Sequence, residues 1–230
     1  MFETSHPYSS FHAAGRCVSG GPIYITDEPG KHDTDLIRQM TAPNPRGKTV
    51  ILRPTTVGRS VHAYVSYDEE RLLRVGTFTG SKATGTGILG IFNISQRPLS
   101  DLVPLREFPG VEEDGLYVIR AHSTGEISNA LKLGDKLALV LLDVAVKGWE
   151  ILSAFPLQSF TLKGSRGLQD QVTKVAVLGL LGKMTGAAAV INSDIYVESN
   201  GRLRIWTSLK ALGVLGKMPT QVQQPMFPER

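Results

Sequence analysis

The apolar positions change period part-way along the chain. Phe11, Ala14 and Val18 fall at helical spacing around residues 9–17, and Leu36, Ile37 and Met40 form one face of residues 33–41. Gly20-Gly21-Pro22 stops the first helix, and Asp33 or Asp35 is available to cap the second. Between them, PIYIT (22–26) is a short β-branched and aromatic run that ends at Asp27, with a turn over 28–33. Helix, strand, helix is the rhythm of an α/β layer.

After Pro43-Asn44-Pro45 the segments become short, β-rich and separated by glycine and polar turns. Strands are predicted within 50–54, 73–78, 87–95, 115–122, 136–144, 148–163, 174–181, 187–199 and 202–208. Without long helices between them, they argue for an antiparallel sandwich. Residues 216–230 are polar and proline-containing, and read as a loose tail. The expected organisation is an α/β piece over 1–45, a sandwich over 46–212 and a flexible tail over 213–230. One helix–strand–helix cannot bury both faces of a sheet, so residues 1–45 read as the end of something larger. Left alone, they are expected to expose apolar faces and to be cut readily by proteases.

Composition narrows the class. The 230 residues are 41% hydrophobic, enough for a substantial core. The net charge of +4 is spread without a run of five basic residues, which argues against a nucleic-acid partner. The single cysteine, Cys17, cannot form an internal disulfide, which agrees with a reducing, cytoplasmic setting. No apolar stretch reaches the ~20 residues of a membrane helix, and the opening residues lack a signal-peptide pattern, so no membrane partner is expected.

Several apparent motifs fail on context. Gly85, Gly87 and Gly90 match GxGxxG, but they run into a strand-like segment where the dinucleotide motif needs a helix. Gly182-Lys183 is followed by Met184, and Val177 stands where a phosphate loop needs glycine. His6, His12, His32, His62 and His122 lack metal-ligand spacing, and no cofactor is expected. Asn93-Ile94-Ser95 is a formal glycosylation sequon inside a predicted strand, and reads as silent. Trp149 and Trp206 lie in the predicted sandwich, where a sugar-stacking role is conceivable and a core role is the default.

The string MFETSHPYSSFHAAGRCVSGGPIYITDEPGKHD (1–33) resembles the raffinose synthase, alkaline α-galactosidase and seed-imbibition family of glycoside hydrolase family thirty-six. The segments 36–40, 51–59, 87–95, 148–157 and 177–190 are similar to later parts of the same family. The resemblance implies a mainly β chain: an antiparallel C-terminal β-sandwich preceded by the last βα units of a truncated (β/α)8 barrel, from the end of strand seven to helix eight. It implies a retaining mechanism on α-galactosides, by hydrolysis or galactosyl transfer, with two carboxylates about 5 Å apart. In the family these are aspartates on earlier barrel strands, so neither is expected in this chain, which is expected to be inactive alone. Barrel active sites gather at the C-terminal strand ends. That suggests His6 and Asp27 as sugar contacts, with His12 and Arg16 on the intervening helix and Gly20 and Gly21 in its closing turn. The alternative is a free-standing sandwich that binds carbohydrate or serves a structural role without catalysis. Transfer against hydrolysis, and oligomeric state, stay open.

Overall fold

A computed structural model describes residues 1–81, 84–162 and 170–221. Helix α1 (Ser9–Ser19) buries Ala13, Ala14, Cys17 and Val18. It ends at Gly20, whose φ of 72° is the left-handed closing conformation that glycine adopts without strain. Helix α2 (Thr34–Met40) is capped by Asp33, whose carboxylate accepts from the Asp35 and Leu36 backbone N–H groups. The run at 22–26, predicted as a strand, makes a single parallel bridge between Phe2 and Ile25. A lone partner one residue long cannot sustain a ladder.

Strands β1 (Thr41–Pro43) and β2 (Thr49–Ile51) pair antiparallel. The Asn44 side chain closes their turn by accepting from the backbone of Arg46 and Lys48. The central sheet then assembles from β3 (Arg59–Ser60), β4 (Leu73–Thr79), β5 (Thr86–Phe92), β7 (Leu116–Ala121), β8 (Leu131–Lys132) and β10 (Trp149–Pro156). Its order is β3-β4-β5-β10-β7-β8, antiparallel throughout. Strands β6 (Leu99–Pro104) and β9 (Leu139–Val144) form a separate antiparallel pair. A second sheet, ordered β11-β12-β15, contains β11 (Gln158–Leu162), β12 (Gln171–Leu180) and β15 (Leu215–Gln221). Strands β13 (Val190–Val197) and β14 (Leu203–Leu209) make a two-stranded ribbon.

The central sheet is covered on both faces, which explains why β5 is buried along its whole length. On one face Leu89, Ile91, Ile119 and Leu152 pack with Val103 of β6, Val144 of β9, Leu105 and Phe108. Arg74 reaches out of this face to Asp101 and Glu107, each at 2.5 Å, and so ties β6 and the turn after it to β4. On the other face Ile88, Phe92, Val118, Ile151 and Phe155 share one cluster with Ala176 and Leu178 of β12 and with Ala13, Ala14, Cys17 and Val18 of α1. The mainly β, antiparallel reading is therefore borne out.

Two expectations need correction. The apolar face of α1 is not bare: it is seated on the central sheet, and Gly58 N–H donates to the Ser19 carbonyl at 3.1 Å. The reason is steric. Gly90 leaves a hollow in β5, where an added Cβ would come within 2.9 Å of the Val18 side chain. Residues 215–221, read as tail, form β15 against β12, because backbone pairing on an edge needs no apolar pattern and tolerates Pro219. Residues 222–230 of the expected tail lie outside the described residues.

The segment 148–163 divides at Leu157, crossing from the central sheet (β10) to the second sheet (β11). Asn93 of the sequon is wholly buried. Its amide donates to the carbonyls of Arg97 and Val144 and accepts from Ser95.

Candidate functional site

The N-terminal segment builds a small parallel unit around α1. Phe2 N–H donates to the Tyr24 carbonyl at 3.2 Å, and Thr26 N–H returns to the Phe2 carbonyl at 3.0 Å. Parallel neighbours joined through a helix are the βαβ connection in its shortest form. The loops that leave these two stretches carry His6 and Asp27, and they are locked together two residues beyond the bridge on each side.

That lock is Thr4 and Asp27. The Asp27 carboxylate accepts from Thr4 N–H at 2.5 Å and from Thr4 Oγ1 at 2.6 Å. His32 Nδ1 lies 2.9 Å from Asp27 Oδ2, and Thr4 Oγ1 accepts from Asp33 N–H at 2.8 Å. The Asp27 side chain is 0% exposed although its backbone is at the surface. The Thr4 hydroxyl, aided by His32, holds this carboxyl below the usual carboxylate range against the opposing effect of burial. It is an ionised internal clasp that joins both loops to the cap of α2.

His6 sits on the rim of the same end and is exposed. Its Nδ1 accepts from Tyr8 N–H at 3.2 Å, and its ring lies 5.6 Å from Tyr8 and 6.2 Å from His12. His12, also exposed, is edge-on to Phe11 and 6.4 Å from Phe2. The structure thus brings His6 and His12 together in a ring cluster with Tyr8. Lys147 adds its ammonium 4.3 Å from the Tyr8 ring, from the turn before β10. Arg16 is exposed at the last turn of α1. Gly20 lies against the Thr56 carbonyl, where an added Cβ would approach to 2.9 Å. Gly21 N–H donates to Ser19 Oγ at 3.3 Å. Gly20 and Gly21 thus shape the turn that lets α1 meet the segment before β3.

Sequence reasoning did not find Thr4, His32 or Tyr8. The only available signal was their position beside His6 and Asp27 in the matched string. Nor did it find the seam between this unit and the sandwich. Trp149 Nε1 donates to Ser10 Oγ at 3.1 Å, and His122 stacks on Trp149 with ring centres 5.8 Å apart. His122 Nε2 meets Gln39 Oε1 at 3.2 Å, and Lys183 Nζ donates to the Arg38 carbonyl at 2.6 Å. Burial pushes the His122 imidazole below its ordinary value, against the attraction of Glu150, so the stacked ring is neutral at pH 7. Among the described residues no cluster of three or more His, Cys, Asp or Glu residues is arranged to hold a metal ion.

Comparison with known proteins bears on the same segment. Residues 1–100 match the family described as raffinose synthase or seed imbibition protein Sip1. A probable galactinol–sucrose galactosyltransferase 6 of Arabidopsis thaliana is 32% identical over 135 residues, 56% of this chain and 17% of the relative. A probable galactinol–sucrose galactosyltransferase 1 of the same plant is 24% identical over 243 residues, 94% of this chain and 29% of the relative. This chain therefore corresponds to less than a third of the length of these relatives. Among solved structures, α-galactosidase I of Mortierella vinacea aligns over 64% of this chain and 35% of its own, at 9% identity and a TM-score of 0.41. The family resemblance read from residues 1–33 is borne out.

Proposed function

We propose that this chain, which carries the raffinose synthase and seed imbibition family's segment in its first 100 residues, is the C-terminal part of an enzyme acting on α-galactosides. In this reading residues 1–33 form one wall of the sugar pocket, and the two reacting carboxylates belong to another part of a longer polypeptide. One carboxylate attacks the anomeric carbon while the other protonates the departing oxygen. Water or a sugar hydroxyl then displaces the glycosyl-enzyme ester, giving hydrolysis or transfer.

The observation that carries this reading is the parallel Phe2–Ile25 pairing around α1, with Thr4 and Asp27 clasped just beyond it. It sets two loops side by side at the C-terminal ends of neighbouring parallel stretches, where barrel enzymes keep their substrate groups. His6, exposed on the rim, is suited to hydrogen-bond a galactose hydroxyl. Asp27 acts as a positioning residue, since both its oxygens already have internal partners. His12 and Arg16 extend the same wall, and Gly20 and Gly21 set the angle at which α1 leaves it.

The test joins this chain in frame behind the N-terminal part of the Arabidopsis relative that it matches over 94% of its length. Release of nitrophenol from a nitrophenyl α-galactoside is then measured. The joined protein is expected to release it and the isolated chain is not. In the joined protein His6→Ala is expected to raise KM more than it lowers kcat. Turnover by the isolated chain at a comparable rate would overturn the proposal, and an unchanged KM in His6→Ala would remove His6 from the wall.

A further inference from the structure

The ribbon of β13 and β14 has two chemically distinct faces. The pairs Ser193–Thr207, Ile195–Ile205 and Val197–Leu203 lie on one, and Asn192–Ser208, Asp194–Trp206 and Tyr196–Arg204 on the other. The first begins at buried Ser193, and its Ile195, Ile205, Leu203 and Thr207 are half-buried. The second face is turned to solvent: Asn192, Asp194, Tyr196, Arg204 and Trp206 are all exposed, with Trp206 at 53% and Tyr196 at 47%. An outward face rich in polar residues is ordinary. This one also places a tryptophan and a tyrosine on neighbouring positions, each with an apolar ring body and a polar edge in water.

The arrangement of the polar groups points to an occupant. Trp206 stands directly opposite Asp194, and Tyr196 directly opposite Arg204. Tyr196 and Trp206 are therefore diagonal neighbours on this face, with backbone positions about 7–8 Å apart. The Arg204 guanidinium is held by Glu198 at 2.5 Å, which fixes a planar donor beside the tyrosine. A pyranose ring has the complementary make-up. Its axial C–H groups form an apolar face that stacks on an aromatic ring, and its equatorial hydroxyls donate to a carboxylate or accept from a guanidinium. We infer that the solvent face of this ribbon is a carbohydrate platform, with Trp206 and Tyr196 stacking on consecutive sugar rings and Asp194, Asn192 and Arg204 meeting their hydroxyls. It lies on strands remote in sequence from residues 1–33. It does not depend on the pocket-wall reading, and its failure would leave that reading intact.

The indole N–H resonances of the two tryptophans make the test direct. Trp149 donates to Ser10 and stacks on His122, so its resonance reports separately on the neighbourhood of residues 1–33, and a Trp206→Phe sample assigns the pair. The 230-residue chain is titrated with raffinose, with methyl α-galactoside and with glycerol, a polyol without a ring face. Raffinose and the galactoside are expected to shift the Trp206 resonance while leaving that of Trp149 in place, and glycerol is expected to shift neither. Trp206→Ala and Tyr196→Ala are each expected to weaken raffinose binding about tenfold, read by calorimetry. Both side chains are solvent-exposed, so the far-ultraviolet dichroism should match the parent. No Trp206 shift at saturating sugar would overturn the platform, as would an equal shift with glycerol. Concentration-dependent broadening of Trp206 that sugar leaves unchanged would assign the face to a second copy of the chain, and would also overturn it.

Discussion

At the scale of single residues, the carboxylate that sequence pattern singled out does its work inward. Asp27 is bonded to Thr4 and His32, with its folded pKa lowered. A depressed carboxylate stabilises the fold above its unfolded pKa of about 3.9, and that contribution disappears as pH falls through the folded value. Asp27→Asn should therefore lower the thermal midpoint at pH 7. The gap from the parent should close at pH values below the ordinary aspartate range, as followed by dichroism from pH 7 downward. A gap that stays constant with pH would contradict an ionised clasp. Cys17 is pushed up to about 12 by burial, with a smaller opposing effect from Thr185. Its thiol should resist alkylation in the native chain and react at the free-thiol rate in urea, as read by mass spectrometry. The Asp27 position was legible because it ends a β-branched run before a turn. Thr4 and His32 were not, since nothing in their local pattern announces which distant carboxylate they will meet.

At the scale of elements, the most informative contact is between α1 and β5. The helical spacing of Phe11, Ala14 and Val18 announced α1, but no periodicity says which surface an amphipathic helix will meet. The clue was Gly90, which looked like part of a failed nucleotide motif and is in fact the hollow that receives Val18. Gly90→Val should overpack this contact and cost about 1–3 kcal/mol in urea unfolding. Gly182→Ala, where an added methyl meets nothing within 4 Å but φ is 68°, tests backbone strain in the same host without touching the contact. Equal stability of Gly90→Val and the parent would mean that α1 is not seated as described. Strands rich in β-branched residues were legible in the same way as α1. β15 was not, because Gly216, Lys217 and Pro219 give no alternation, and its place depends on the exposed edge of β12.

At the scale of the whole molecule, the shift from helical to strand periodicity near residue 45 is real, but the core runs across it. Ala13, Ala14, Cys17 and Val18 share one cluster with Phe92, Ile151 and Phe155. The Trp149–Ser10, His122–Gln39 and Lys183–Arg38 contacts fasten the outside of the same seam. This follows from the physics that made the opening segment look incomplete: a βα unit with one apolar face must cover it, and the sandwich supplies the cover. In the proposed function residues 1–33 are a prearranged wall, held in place by the packing of α1 on the central sheet. Amide hydrogen exchange on the 230-residue chain at pH 7 tests this claim most directly, by comparing the amides of residues 13–18 with those of β5 and β10. Protection of α1 is expected within about tenfold of these central strands, because all three open together as one core. Exchange of residues 13–18 at the rate of an unstructured peptide, with β5 and β10 still protected, would contradict it.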